Sequence, residues 1–469
     1  MTDHSVSSAE RTDAKRFDME MKVYKRYPLG NKRFNWKQKD YVLSTFSYLG
    51  KPDEEGERLI EIVDRATRNC KEAGFNMLEM GWTPHNKAWA AVDACEKYGI
   101  DIIFQDLSIM GGMQYRYLEN KISREVAESV VNAFKDKKHM IGYYVWDEPI
   151  TEEQLKEARR QMDILEELSP DSLLFTVTIP DYNSGGNPSD PNELPKQWEN
   201  GLYEPNFRRF VEVMDPPVVS FDYYPVGNYF NVWGDHVFNY ENQFDDTFLW
   251  CDLGLARKIA KEKKLPLWFY YQGCNLYKWT THFTFPMVRC MMYAAAMYGA
   301  KGLQHYEAWL SVIDSEGNKG KFFDEQKKIH SEFKALGNTL MALDSTAIYH
   351  SEDLLPGCEY MQGLKDNILD SEIFDGPLPR RCSLGEFCDE YGNLYIMILN
   401  RDYEKPLTHT FKFKGTHRIY EVSRVDGEQR VIAEKTDNIT LTFEEGDAIL
   451  LRIQKSNQPP FVCKYELAD

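Results

Sequence analysis

Six carboxylates in this chain stand at or near the ends of short runs rich in aromatic and β-branched residues. They are Glu79 in LEMGW, Asp106 in FQDL, Asp147 and Glu148 in YYVWDEP, Asp222 in SFDYYP and Glu307 in HYEAW. Carboxyl groups gathered at one rim can divide acid–base work, one protonating a leaving oxygen while another attacks or activates water. The sharpest segment is Gly142–Pro149, where a run suited to a buried strand ends in Asp147-Glu148, proline stops it, and Thr151 with Gln154 forms a capping box for the next helix. Glu148 is therefore expected at a strand mouth among Trp and Tyr, where the charged form is disfavoured and the pKa rises toward that of a general acid. The plainer reading is a carboxylate pair bonding loop amides; the recurrence of carboxylates at the other ends favours catalysis. On the eighth strand, His305, Glu307 and Trp309 share a face by period two, which would let His305 orient or tune Glu307. Trp82, Trp146, Tyr223, Tyr224, Trp233, Tyr271, Trp279 and Trp309 fall near the same ends, and as a set they suit a pocket for sugar rings.

These residues need a scaffold that brings separate strand ends together. From residue 41 to about 310, eight strand candidates (41–48, 75–82, 101–107, 140–147, 172–179, 218–224, 265–272 and 302–309) alternate with amphipathic helical stretches, most of them separated by one. Gly74, Gly99 and Gly299 close helices just before strands. Eight βα units in this length predict a closed (β/α)8 barrel with its functional loops after the strands. The long segments 108–121, 181–202 and 225–245 are those loops. An open doubly wound sheet is the alternative, but no GxGxxG turn is present. After a helix near 322–342 the apolar pattern changes to period two, in 394–400, 408–415 and 438–453, which predicts a small antiparallel β-sandwich. The expected division is an N-terminal extension over 1–40, a barrel domain over 41–344 and a sandwich over 345–469. The first 37 residues are polar and irregular, and the pattern assigns them no role.

Composition narrows the function. With 469 residues, 42% hydrophobic and 14% aromatic, the chain exceeds one small module and is not a disordered polymer. Its net charge of −18 disfavours nucleic acid and anionic membranes as partners. No apolar run is long enough to span a membrane, and the opening residues lack the apolar core of a secretory signal. The expectation is a cytoplasmic protein, or a periplasmic or extracellular one if a leader has been removed. Nine scattered cysteines without a CxxC pair suit reduced thiols. With no HExxH, Walker loop or GxSxG elbow, no metal and no cofactor is expected.

The series WDEP, VVSFDYYP, PLWFYYQ and AAAMYGAKGLQHYEAW resembles the clan A glycoside hydrolases, and within them the family 42 β-galactosidase type, over most of the chain. The resemblance implies a carbohydrate substrate, Glu148 as acid/base, and Asp147 at the position where the clan's Asn meets the sugar 2-hydroxyl. The clan's nucleophilic glutamate ends the seventh strand, whereas this chain reads Phe269-Tyr270-Tyr271-Gln272-Gly273 there. Gln272 can hold a sugar hydroxyl or position water but cannot form a glycosyl ester. Three readings stay open: Glu307, or after it Asp222, serves as nucleophile or base; the enzyme inverts; or the barrel binds sugar without cleaving it. The expected binding residues are Asp147, Trp146, Trp82, Glu79, Asp106, Tyr224, Trp233, Tyr271, Gln272, His305 and Trp309.

Overall fold

The computed structural model describes residues 19–47, 49, 55–83, 85–106, 123–149, 151–178, 201–226, 247–276, 283–351 and 363–468. Strand β1 spans Glu20–Arg26. The barrel strands follow as β2 (Val42–Phe46), β3 (Met77–Thr83), β4 (Asp101–Asp106), β5 (Met140–Asp147), β6 (Leu173–Val177), β7 (Val219–Tyr223), β8 (Leu267–Gln272) and β9 (Gly302–Tyr306). Every expected barrel strand is present. They form one parallel sheet in the order β6-β5-β4-β3-β2-β9-β8-β7, and a single bridge between Thr178 and Phe221 brings its edges together.

The described helices are α1 (Gly56–Glu72), α2 (His85–Tyr98), α3 (Arg124–Phe134), α4 (Glu152–Leu168), α5 (Tyr203–Met214), α6 (Thr247–Lys263), α7 (Phe285–Met297) and α8 (Phe323–Ala342). The capping box at Thr151 forms: the Gln154 amide N–H donates to Thr151 Oγ1 at 3.2 Å and the Thr151 N–H to Gln154 Oε1 at 3.0 Å. This fixes the start of α4 only a few residues beyond Glu148. Gly74, which ends the turn after α1, has a φ of +93°, open to glycine at little cost.

Two apolar layers result. Phe46, Met77, Ile103, Tyr144, Phe175, Val177, Trp268 and Tyr270 fill the barrel interior. A larger cluster lies between strands and helices and includes Tyr143, Val145, Trp146, Phe221, Phe269, Tyr271 and Leu303. The alternation of side chains along a strand accounts for the division. β5 is drawn close to β6 because Gly142 has no side chain: a Cβ there would stand 2.0 Å from the Leu173 carbonyl oxygen.

Beyond α8, strands β10 (Asp344–His350), β11 (Cys382–Cys388), β12 (Leu394–Asn400), β13 (Leu407–Val422), β14 (Gln429–Phe443) and β15 (Ala448–Lys455) make an antiparallel sheet in the order β10-β11-β12-β15-β13-β14. The chain is thus a (β/α)8 barrel followed by an antiparallel β-sandwich. The N-terminal segment has a role that its polarity conceals. β1 pairs in parallel with the last strand, β16 (Phe461–Leu467), from Glu20 opposite Phe461 to Arg26 opposite Leu467. Gln38 seals the barrel base, its amide donating to the Lys301 carbonyl at 2.6 Å while its oxygen accepts from Trp268 Nε1 at 2.8 Å.

Candidate active site

Where the barrel strands end, β5 carries the decisive irregularity. Its pairing with β6 is in register through Tyr144 opposite Phe175, then shifts so that Trp146 faces Thr176. An extra residue in one strand reverses the alternation beyond it. Asp147 consequently joins Tyr144 on the interior side, and Tyr144 Oη donates to Asp147 Oδ1 at 2.8 Å. Trp146, expected at the pocket, instead packs in the strand–helix layer at 3% exposure. Glu148 follows with a φ of +49°, in the left-handed region, and is half-buried.

Asp222 on β7, one strand beyond β6, meets this group at the barrel mouth. Burial, and then the charge of Asp147, push its carboxyl up to about 7, against hydrogen bonds with Tyr224 and Glu148. Burial likewise raises Asp147 to about 6, opposed by the Tyr144 hydroxyl. Two neighbouring carboxyls that resist joint ionisation share a proton near neutrality, and they titrate as a pair. Tyr224 stacks on Tyr306 with ring centroids 4.8 Å apart. Replacing Tyr144 with Phe removes the donor that favours ionised Asp147, so the Asp147 carboxyl is expected to titrate at higher pH while the fold is retained; carboxyl-carbon NMR titration reads the shift, and an unchanged titration refutes the link.

Glu307 is placed differently. β9 ends at Tyr306 and Ala308–Leu310 form a 3-10 turn, so the period-two face of His305, Glu307 and Trp309 does not form. Glu307 is 3% exposed, its Oε1 has no hydrogen-bond partner among the described residues, and burial alone pushes its carboxyl up to about 9. Its backbone N–H points to Cys274 Sγ at 3.4 Å. The charges of Asp147 and Asp222, which bear on each other, are not among the influences on Glu307.

His305 does not orient Glu307. It is fully buried on the helix side, edge-on to Tyr271 and Phe75, with Nε2 3.4 Å from Ser311 Oγ. Tyr271 faces the same layer and accepts from Gln326 of α8 at 3.1 Å. Trp309 is half-buried against that layer as well. Gln272 is fully engaged in holding the chain after β7: its Oε1 accepts from the Val226 N–H and its Nε2 donates to the Val226 carbonyl, each at 2.8 Å. Glu79 lies below the rim, where Gln304 Nε2 donates to both its oxygens at 3.0 Å and Tyr270 Oη donates to Oε2, while Ser220 Oγ donates to Gln304 Oε1 at 2.7 Å. Burial raises the Glu79 carboxyl to about 7. Trp233 and Trp279 lie outside the described residues, and Trp82 and Asp106 are described only as backbone of β3 and β4.

The structure therefore brings Asp147, Glu148, Asp222 and Tyr224 together, and adds Tyr144 and Tyr306, which the pattern did not single out. No sequence signal marks Tyr144, because residues three apart share a strand face only across a bulge. Among the described residues, no group of three His, Cys, Asp or Glu side chains could hold a metal ion, and no helix is long and apolar enough to cross a membrane.

No family model matches the chain, and no curated protein sequence does. Solved structures do match. One is a glycoside hydrolase at 12% identity and a TM-score of 0.56, covering 93% of this chain and 99% of that one. Another is a glycoside hydrolase family 5 protein from Bacteroides vulgatus, at 13% identity and a TM-score of 0.56, covering 93% and 96%. This chain accordingly shares, along nearly its whole length, the barrel-plus-β-domain architecture of those glycoside hydrolases.

Proposed function

We propose that the protein hydrolyses an O-glycosidic bond, with Glu148 as general acid and Asp222 as the second carboxylate. The observation that carries this reading is the meeting of Asp147 and Glu148 from β5 with Asp222 from β7, at the end of the barrel where the strands finish. Within that group Tyr224 and then Glu148 hydrogen-bond to Asp222 and favour its ionised form, against the burial and the Asp147 charge that raise its pKa. Tyr144 and Tyr224 hold the two aspartates, and Asp147 shares the proton of Asp222. Glu307 stands apart from this cluster and is the weaker candidate for second carboxylate. The family 42 resemblance makes β-galactosides the first substrates to try.

A glycosidic oxygen entering between Glu148 and Asp222 must part them. A separation of about 5–5.5 Å gives retention and about 6.5–9.5 Å inversion, so the anomer first released, read by proton NMR, assigns the mechanism. The test of the proposal is a panel of neutral glycosides hydrolysed by pure protein and by the Glu148→Gln variant. Release of sugar that this replacement removes supports it.

A non-catalytic carbohydrate-binding barrel is the competing reading. It is favoured by Gln272 at the clan's nucleophile position, with its amide spent on Val226. Saturable sugar binding with no release from any glycoside selects it.

A further inference from the structure

At the opposite end of the barrel, where the strands begin, lies a cleft of about 830 Å³. That volume is in the range of small-molecule sites. It opens between the segment before β2, the α3–β5 connection and the α4–β6 connection. Its base is apolar: Val42, Met77 and Ile141 surround Trp268, and the half-buried Trp36 ring meets Trp268 edge-on at 6.2 Å. Trp36 thus adds an aromatic ring to the lining, against which a sugar ring can pack.

The charges on the walls are unequally committed. Each acid of the lining holds a partner already: Asp40 pairs with Arg26 at 3.1 Å, Asp101 with His139 at 2.9 Å, and Asp171 accepts from Asn35 at 3.1 Å. Lys37 is spent on the carbonyls of Asn31 and Phe34. The ammonium groups of Lys39 and Lys138, both exposed and on different walls, have no hydrogen-bond or ion-pair partner among the described residues. In a chain of net charge −18, two uncommitted cations in the same cleft as Trp36 make a local exception to the field.

We propose that this cleft binds an acidic oligosaccharide, with a uronate ring on Trp36 and its carboxylate groups at Lys39 and Lys138. The aromatic plane selects a ring, and the unpaired ammonium groups select a carboxylate over a neutral sugar. The site is at the far end of the barrel from Glu148 and Asp222, so it stands or falls independently of catalysis.

The experiment is calorimetric titration of the full chain with trigalacturonate, and with maltotriose as the neutral control, at low and at 0.3 M salt as chosen conditions. Saturable binding of trigalacturonate is expected, weakened by salt, unchanged in Glu148→Gln, and weakened at least about tenfold in Lys39→Gln/Lys138→Gln. Both lysines are exposed, so that double variant keeps the fold; Trp36→Ala is expected to abolish binding. Absence of saturable binding, equal affinity for maltotriose, or trigalacturonate binding that ignores the lysine replacements overturns the proposal.

Discussion

Glu148→Gln is expected to lower kcat on an alkyl glycoside by roughly 10²–10⁴-fold, and far less on a nitrophenyl glycoside. The difference follows from the role of the acid. An alkoxide is a poor leaving group and needs a proton from the general acid, the role proposed for Glu148, whereas a nitrophenolate departs without one. Asp222→Asn is expected to cost a similar factor on both substrates, because the second carboxylate acts on the anomeric carbon or on water whatever the leaving group. Stopped assays on the two substrate types, run side by side, read the split. Equal losses on both substrates for Glu148→Gln would show that it is not the acid. Full activity of Asp222→Asn with loss in Glu307→Gln would transfer the second role to Glu307. The Tyr144–Asp147 bond and the Tyr224–Tyr306 stack hold the cluster from below and from the side, so neither replacement is expected to unfold the barrel.

Glu307→Gln is expected to stabilise the protein at neutral and alkaline pH by several kcal/mol. The carboxyl titrates at about 9 in the folded chain, pushed up by burial. In the unfolded chain it titrates near 4.3. Between those values the folded state holds a proton that the unfolded state has released. Stability from this group is therefore complete below the unfolded pKa and declines as pH rises toward about 9, at up to about 1.4 kcal/mol per pH unit. Glutamine keeps the shape and removes the titration. Denaturant unfolding at pH 5, 7 and 9 should show the variant drawing ahead of the parent as pH rises; parallel stabilities across that range would refute the buried, uncharged state of Glu307.

How much of this was legible in the residues depends on parity. Eight βα units, the capping box at Thr151 and the carboxylate pair before Pro149 are local patterns, and they survive into the structure because nothing distant competes with them. Side-chain direction is more fragile, since one extra residue inverts it. The bulge in β5 sends Trp146 outward and Asp147 inward, and no feature of YYVWDE announces it. On β8 the alternation is regular, but without a known origin it does not say whether Tyr270 or Tyr271 faces in; the structure turns Tyr270 to Glu79 and Tyr271 to α8. At β9 the strand stops one residue before Glu307, so period two is extended past its range. Gln272 shows a further limit: an amide at a strand end reads as a ligand for substrate until its backbone partners at Val226 are seen.

The pairing of β1 with β16 has a bearing on how the chain is made. Its two strands are separated by roughly 440 residues. At a synthesis rate of about 5–20 residues per second, β1 spends about 20–90 s without its partner while the barrel between them is being translated. During that interval a strand with exposed Met21 and Val23 is open to other strands. The two-stranded sheet can close only once residues 461–467 have been made, so the barrel between its strands is complete before its first strand is paired.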